Sequence, residues 1–114
     1  MKRETIVLTK FPFTDLSASK KRPSVIVSWT NNSKSDVIVA FISSVIPDTL
    51  LDSDYVFEVA NKNFYKSGLK KSSVIKLDKL MTLNKSIFTG ELGNLSTEIL
   101  KEIDAKLKVA LDLD

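Results

Sequence analysis

One stretch constrains this chain more than any other. Val37-Ile38-Val39-Ala40-Phe41-Ile42 is apolar without a break. A strand sends successive side chains to opposite faces, so a run with no polar position has to be covered on both sides. Its length and β-branched content suit a strand, and it stops at Ser43-Ser44, just where the apolar positions end. The fold must therefore be built around a central strand over residues 36–43, with layers on either face of it.

The flanking segments supply its neighbours. Residues 5–9 read as a first strand, interrupted by Phe11-Pro12-Phe13, and residues 14–21 as a polar loop rich in Ser and Lys. That loop runs through Lys20-Lys21-Arg22 and Pro23 into a second strand over residues 24–29. Proline cannot donate to a ladder and so marks the first strand residue. Val25, Val27 and Trp29 share one face, the period of a half-buried strand. Residues 30–35 are turn formers that close a hairpin onto the central strand.

Beyond Pro47, residues 54–59 place Tyr55, Phe57 and Val59 on one face. Residues 61–71 form a polar, basic loop carrying Lys62, Lys66, Lys70 and Lys71 around Gly68. Residues 73–78 are a further strand, 80–83 a shorter one, and 87–92 is open between a last strand and a helical turn. One helix closes the chain. Ser96 is its N-cap, Glu98 puts early negative charge at its start, and Leu95 with Leu100 makes a hydrophobic staple. Ile99, Leu100, Ile103, Leu107, Ala110 and Leu111 form one apolar stripe at helical spacing, opposite a charged face. Several short strands and one capping helix give a mainly β (α+β) fold: a small barrel-like or strongly bent antiparallel sheet with a C-terminal helix on it.

At 114 residues, with 43% hydrophobic and 27% charged content, the chain is one domain over residues 1–114. No run reaches membrane-spanning length, and Lys2 and Arg3 precede only the short Ile6-Val7-Leu8, so neither membrane nor signal peptide is expected. The sequence has neither cysteine nor histidine. Disulfides, thiol chemistry, a two-histidine nuclease and a histidine-bearing zinc site are thereby excluded, and a cytoplasmic setting is expected. Chemistry is left to Arg, Lys, Asp, Glu, Ser, Thr or Tyr, with no metal and no cofactor expected. The net charge of +3 permits an anionic partner without demanding one. Arg22 stands out within that inventory. It sits at a strand mouth with a proline behind it, and its planar fork can hold two phosphate oxygens at once. A solvated basic turn is the plainer alternative.

Five stretches taken together resemble the PemK/MazF family. They are Phe11-Pro12-Phe13-Thr14-Asp15-Leu16-Ser17, Lys21-Arg22-Pro23, Val39-Ala40-Phe41-Ile42-Ser43, Lys76-Leu77-Asp78-Lys79-Leu80 and Leu92-Gly93-Asn94-Leu95-Ser96, in the family's order over nearly the whole chain. The resemblance implies a toxin of a type II toxin–antitoxin pair. Such toxins are small SH3-like barrels that form homodimers and cleave RNA without a metal. Their partner is an antitoxin whose acidic, flexible tail covers the RNA site. The catalytic arginine before the proline falls on Arg22, and the catalytic threonine at the end of the third strand falls on Ser43, which keeps the hydroxyl.

An Arg-x-Asp pair given catalytic roles in the PemK branch falls on Lys76 and Asp78, with lysine replacing arginine. A PemK histidine has no counterpart, and Glu4-Thr5 replaces the usual Gly-Asp before the first strand. The resemblance thus makes Arg22 and Ser43 the catalytic candidates, with Thr14, Lys20, Lys21, Lys76 and Asp78 binding substrate.

The implied function is a sequence-selective endoribonuclease on single-stranded RNA that inhibits growth. The ribose 2′-hydroxyl would attack its own phosphate, leaving a 2′,3′-cyclic phosphate and a 5′-hydroxyl. Arg22 suits the stabilisation of phosphoryl charge; a guanidinium with a pKa above roughly 12 makes a poor base. Ser43 could bond a phosphoryl oxygen or orient Arg22, or simply bond its own backbone at a strand end. Lys76 and Asp78 share a strand face and could form only a salt bridge. The basic loop at 62–71 is either solvated or tracks an RNA backbone. Tyr55, Phe57 and Phe64 could stack on unpaired bases, although core packing is the favoured reading of Phe57. The alternatives are a gyrase-poison-like binding module on the same scaffold and a degenerate relative that binds RNA or antitoxin and cleaves nothing.

Overall fold

The computed structural model describes residues 2–10, 21–28 and 35–114. β1 (Thr5–Lys10), β2 (Lys21–Ile26), β3 (Asp36–Ser43), β4 (Asp54–Phe57), β5 (Ser73–Asn84) and β6 (Phe88–Asn94) make one sheet, and α1 (Thr97–Ala110) follows them. The sheet order is β4-β5-β3-β2-β1-β6, and every neighbouring pair is antiparallel.

β3 is interior, as its uninterrupted apolar run requires. Its adjacent residues Val39 and Ala40 are both 0% exposed, and alternation sends them to opposite faces. Ala40 joins Ile6, Val25, Ile42, Phe57 and Ile75 in the main core. Val39 joins Val7, Ile26, Val37 and Leu83 in a second cluster on the other face. α1 lies on the main core. The Ser96 hydroxyl accepts from the Ile99 N–H, Glu98 sits in the first turn and Lys108 in the last. Ile99 and Ile103 are buried, and Leu107 and Ala110 pack beside them. Leu111 ends the predicted stripe half-exposed, just past the helix. Burial of a side chain like Ile103 contributes about 1.5–3 kcal/mol.

The bend of the sheet has a visible cause. Along β3 and β5 the register passes from Phe41↔Lys76 to Ala40↔Leu80, so residues 77–79 have no partner in β3. This bulge turns the expected strands over 73–78 and 80–83 into one long, kinked strand. β1 and β6 carry register shifts as well. The result is a strongly bent sheet whose ends, β4 and β6, do not pair, rather than a closed barrel.

Other boundaries move for local reasons. β2 begins at Lys21, ahead of Pro23, and ends at Ile26. Pro23 pairs with Leu8, whereas pairing with β3 starts only at Ser24, so the prolyl nitrogen interrupts no β2–β3 ladder. β4 stops at Phe57, leaving Val59 60% exposed. The loop at 61–71 contains a 3-10 turn, Phe64–Ser67, and a second one, Lys85–Ile87, precedes β6. Trp29 and the hairpin residues 30–34 lie outside the described residues.

Two glycines seat the first of these turns on β6. A Cβ on Gly68, whose φ is +74°, would lie 2.2 Å from the Leu92 carbonyl oxygen, and one on Gly93 would lie 2.2 Å from that of Lys66. Backbone meets backbone there, a closeness that only residues without a side chain allow.

Candidate active site

The sheet register brings Arg22 and Ser43 together. Ser24 pairs with Phe41, Val25 with Ala40 and Ile26 with Val39. Continuing that register by one pleat sets Arg22 opposite Ser43, at the start of β2 and the end of β3. Arg22 also pairs with Thr9 in β1, and Ser43 with Val74 in β5. The adjacent row across the same face reads Val7, Ser24, Phe41, Lys76 and Asp54. All of these continue the face of the second apolar cluster, away from α1.

Two adjoining cavities open here. One, of about 300 Å³, is lined by Arg22, Pro23, Phe41, Ile42, Ser43, Lys76 and Lys79. The other, of about 610 Å³, shares Arg22, Pro23, Ile42 and Ser43 and extends past Lys21 to Lys70 and Lys71. No carboxylate among the described residues lines either of them. Two cavities elsewhere among the described residues hold two glutamates each. Tyr55 lines one of those, where burial first and the Glu102 carboxylate second push its phenol up from the ordinary 10.0.

Arg22 is exposed and makes no ion pair among the described residues. Ser43 is engaged locally: its hydroxyl accepts from the Val45 N–H at 3.1 Å and donates to the Val45 carbonyl at 3.3 Å. The strand-end reading of this serine is therefore present in the structure, and no hydrogen bond joins it to Arg22. To donate to a phosphoryl oxygen, Ser43 has to release the Val45 carbonyl. A hydroxyl has a single proton to donate and a second lone pair still open.

Lys76 lines the smaller cavity, but its carboxylate partner is Asp54, with Nζ 4.0 Å from Oδ1, and not Asp78. Asp78 is exposed, lies on the β5 bulge and lines neither cavity. Ile75 and Leu77 both enter the main core, so Lys76 and Asp78 keep the shared face that alternation implies, but the ion pair of Lys76 is made with Asp54 across the sheet. Asp54 is 5% exposed; its Oδ2 accepts from the Leu51 N–H at 2.9 Å, while Oδ1 has no hydrogen bond. Sequence reasoning passed over Asp54 because only the β4–β5 register sets it across from Lys76. Lys79 was passed over likewise, since its place depends on the bulge.

Beside Arg22, the hydroxyls of Thr9 and Ser24 are buried without a hydrogen-bond partner. Of the aromatic candidates, Phe57 is 0% and Phe64 5% exposed, packed edge-to-face at 5.1 Å, so neither is presented to a base. Thr14 and Lys20 lie outside the described residues. No cluster of three potential metal ligands exists among the described residues, and no helix there is long and apolar enough to cross a membrane.

Comparison with known proteins fits this architecture. A mycobacterial structure described as an endoribonuclease in complex with its cognate antitoxin superposes with a TM-score of 0.74 at 18% identity, covering 100% of this chain and 97% of that one. The Mycobacterium tuberculosis toxin MazF-mt6 gives 0.72 at 20% identity, covering 96% and 98%. A MazE–MazF structure from Deinococcus radiodurans gives 0.75 at 15% identity, covering 100% and 97%. These likenesses are of fold. No curated protein matches the sequence. The sequence model of the PemK-like, MazF-like toxins of type II toxin–antitoxin systems matches residues 2–111, and the chain belongs to that family.

Proposed function

We propose that this toxin is a metal-independent, sequence-selective endoribonuclease acting on single-stranded RNA in the cytoplasm. One observation carries the reading: Arg22 and Ser43, from opposing strands, line the same two cavities among lysines, with no carboxylate among the described lining residues. Family membership and the endoribonucleases among its structural relatives support it. The 2′-hydroxyl attacks the adjacent phosphate in line and gives up its proton to solvent, and the P–O5′ bond breaks as the 5′-oxygen takes up a proton, giving a 2′,3′-cyclic phosphate and a 5′-hydroxyl. Arg22 holds the phosphoryl oxygens as negative charge builds on them, and Ser43 adds a hydrogen bond there. Lys21 and Lys76 hold the strand in position for that attack. The same reading gives the toxin a homodimeric assembly and a cognate antitoxin whose acidic tail meets these cations.

The test is incubation of the purified protein with mixed-sequence single-stranded RNA in EDTA, beside Arg22→Ala. Cleavage to cyclic-phosphate ends is expected for the native chain. A loss of about 100-fold or more is expected for the variant, the size of effect seen when a charge-stabilising donor is removed. Intact RNA in both reactions would reject catalysis. That outcome belongs to a second reading, a toxin that binds without cleaving, which the local engagement of the Ser43 hydroxyl by Val45 favours.

A further inference from the structure

The cations around Arg22 fall into two groups, one on each side. Lys79 lines the smaller cavity beside Lys76, and Lys70 and Lys71 line the larger one beside Lys21, with Arg22 and Ser43 shared between them. Lys70, Lys71 and Lys79 are exposed and form no ion pair among the described residues. Lys62 and Lys66 belong to the same basic loop yet open onto the glutamate-bearing cavities, and Lys62 is paired with Glu98. The loop therefore turns only its C-terminal lysines toward the site. Gly68, wedged against Leu92, sets where that division falls. Unpaired ammonium groups lining a concavity with no carboxylate among its described residues suit a row of phosphates better than a single one.

We propose that the substrate strand crosses this face from one cavity to the other and is held at phosphates on both sides of the Arg22–Ser43 position. Lys79 takes one flank, and Lys70 with Lys71 takes the opposite flank. This rests on the RNA-binding reading above but not on cleavage. The chemistry is that of a flexible polyanion with evenly spaced charges, namely single-stranded RNA. Each lysine that neutralises a phosphate releases counterions, so its contribution is read from the salt dependence of binding.

The experiment is fluorescence anisotropy with a labelled 2′-O-methyl RNA of mixed sequence, which the enzyme cannot cleave, titrated at several KCl concentrations. For single strands the slope of log affinity against log salt is about −0.7 per neutralised phosphate. Lys79→Ala should therefore flatten the slope by roughly 0.7, and the Lys70→Ala/Lys71→Ala double variant by roughly 1.4. Lys62→Ala, which removes the same charge from the loop, should leave it unchanged. A slope unaltered by either set of site-side variants overturns the proposal, and so does flattening from one side only. Flattening by Lys62→Ala as large as by Lys79→Ala overturns it too, since net charge alone would then explain the binding. Loss of binding to an acidic polypeptide with the RNA slope intact would assign the lysines to a protein partner instead. The cleavage assay is independent: RNA left intact while the slopes change as expected rejects the nuclease reading and supports the track.

Discussion

Thr9 and Ser24 carry hydroxyls that are sealed from solvent and bonded to nothing. A buried polar group without a partner costs about 1–3 kcal/mol, so Thr9→Val, which keeps the shape and removes the oxygen, should stabilise the fold by about 1 kcal/mol. Urea unfolding of the two proteins checks this, and a destabilised variant would mean the hydroxyl is used. Tyr55 gives a pH prediction. Its phenol is raised above 10.0 by burial and by Glu102, so the unfolded chain loses this proton first as pH rises. The stability due to the neutral phenol is complete below about pH 10 and is lost as pH climbs through the folded-state value. Tyr55→Phe should remove that alkaline decline, seen as a smaller fall in unfolding free energy between about pH 9 and pH 11.

Glu4 shows how a sequence departure becomes a physical one. Where the resemblance leads one to expect glycine, Glu4 adopts φ 89°. It is held there by its N–H donating to the Ile26 carbonyl and its own carbonyl accepting from the Leu95 N–H. An ordinary residue in that region is strained and persists only because its surroundings fix it.

Among the elements, β3 and α1 were legible because each carries a self-contained signal. A run that is apolar on both faces can only be interior, and Ser96 with the Ile99–Ile103 stripe marks a capped amphipathic helix. β5 was read as two strands because Asp78 and Lys79 interrupt its apolar positions, and nothing local says that a bulge absorbs them. The Arg22–Ser43 pair was legible from the family's motif order, whereas the Lys76–Asp54 contact depended on a strand register that no short pattern encodes. Basic residues at 62–71 could be counted in the sequence, but the sorting of Lys70 and Lys71 from Lys62 and Lys66 depends on how the 3-10 turn is seated. That seating is testable. Gly93→Ala forces a methyl group to within 2.2 Å of the Lys66 carbonyl oxygen and 2.7 Å of the Ser67 carbonyl carbon, both backbone atoms. Overpacking of this kind costs about 1–3 kcal/mol. The variant should melt lower and, with its turn displaced, should bind RNA with a flatter salt slope although no charge has changed.

For the molecule as a whole, the formal charge of +3 is unevenly shared among the cavities. Acidic residues share the cavities beside α1 and near the chain start, while the cavities at Arg22 hold none among the described residues. Such a distribution draws a polyanion toward one face before any specific contact forms. Among the described residues, the bent sheet that carries this face ends at β4 and β6, each paired on one side only, and a margin of that kind can join a strand from another molecule where nothing covers it. β4 is only 4 residues long. β6 is longer, and at Leu92–Gly93 the backbone of the Phe64–Ser67 turn and Gly68 lies against it. The turn that aims Lys70 and Lys71 thus also guards a margin of the sheet. Loosening it would do more than disturb the proposed RNA track: it would bare a strand on which copies of the chain could stack, and the toxin would begin to aggregate before it unfolds.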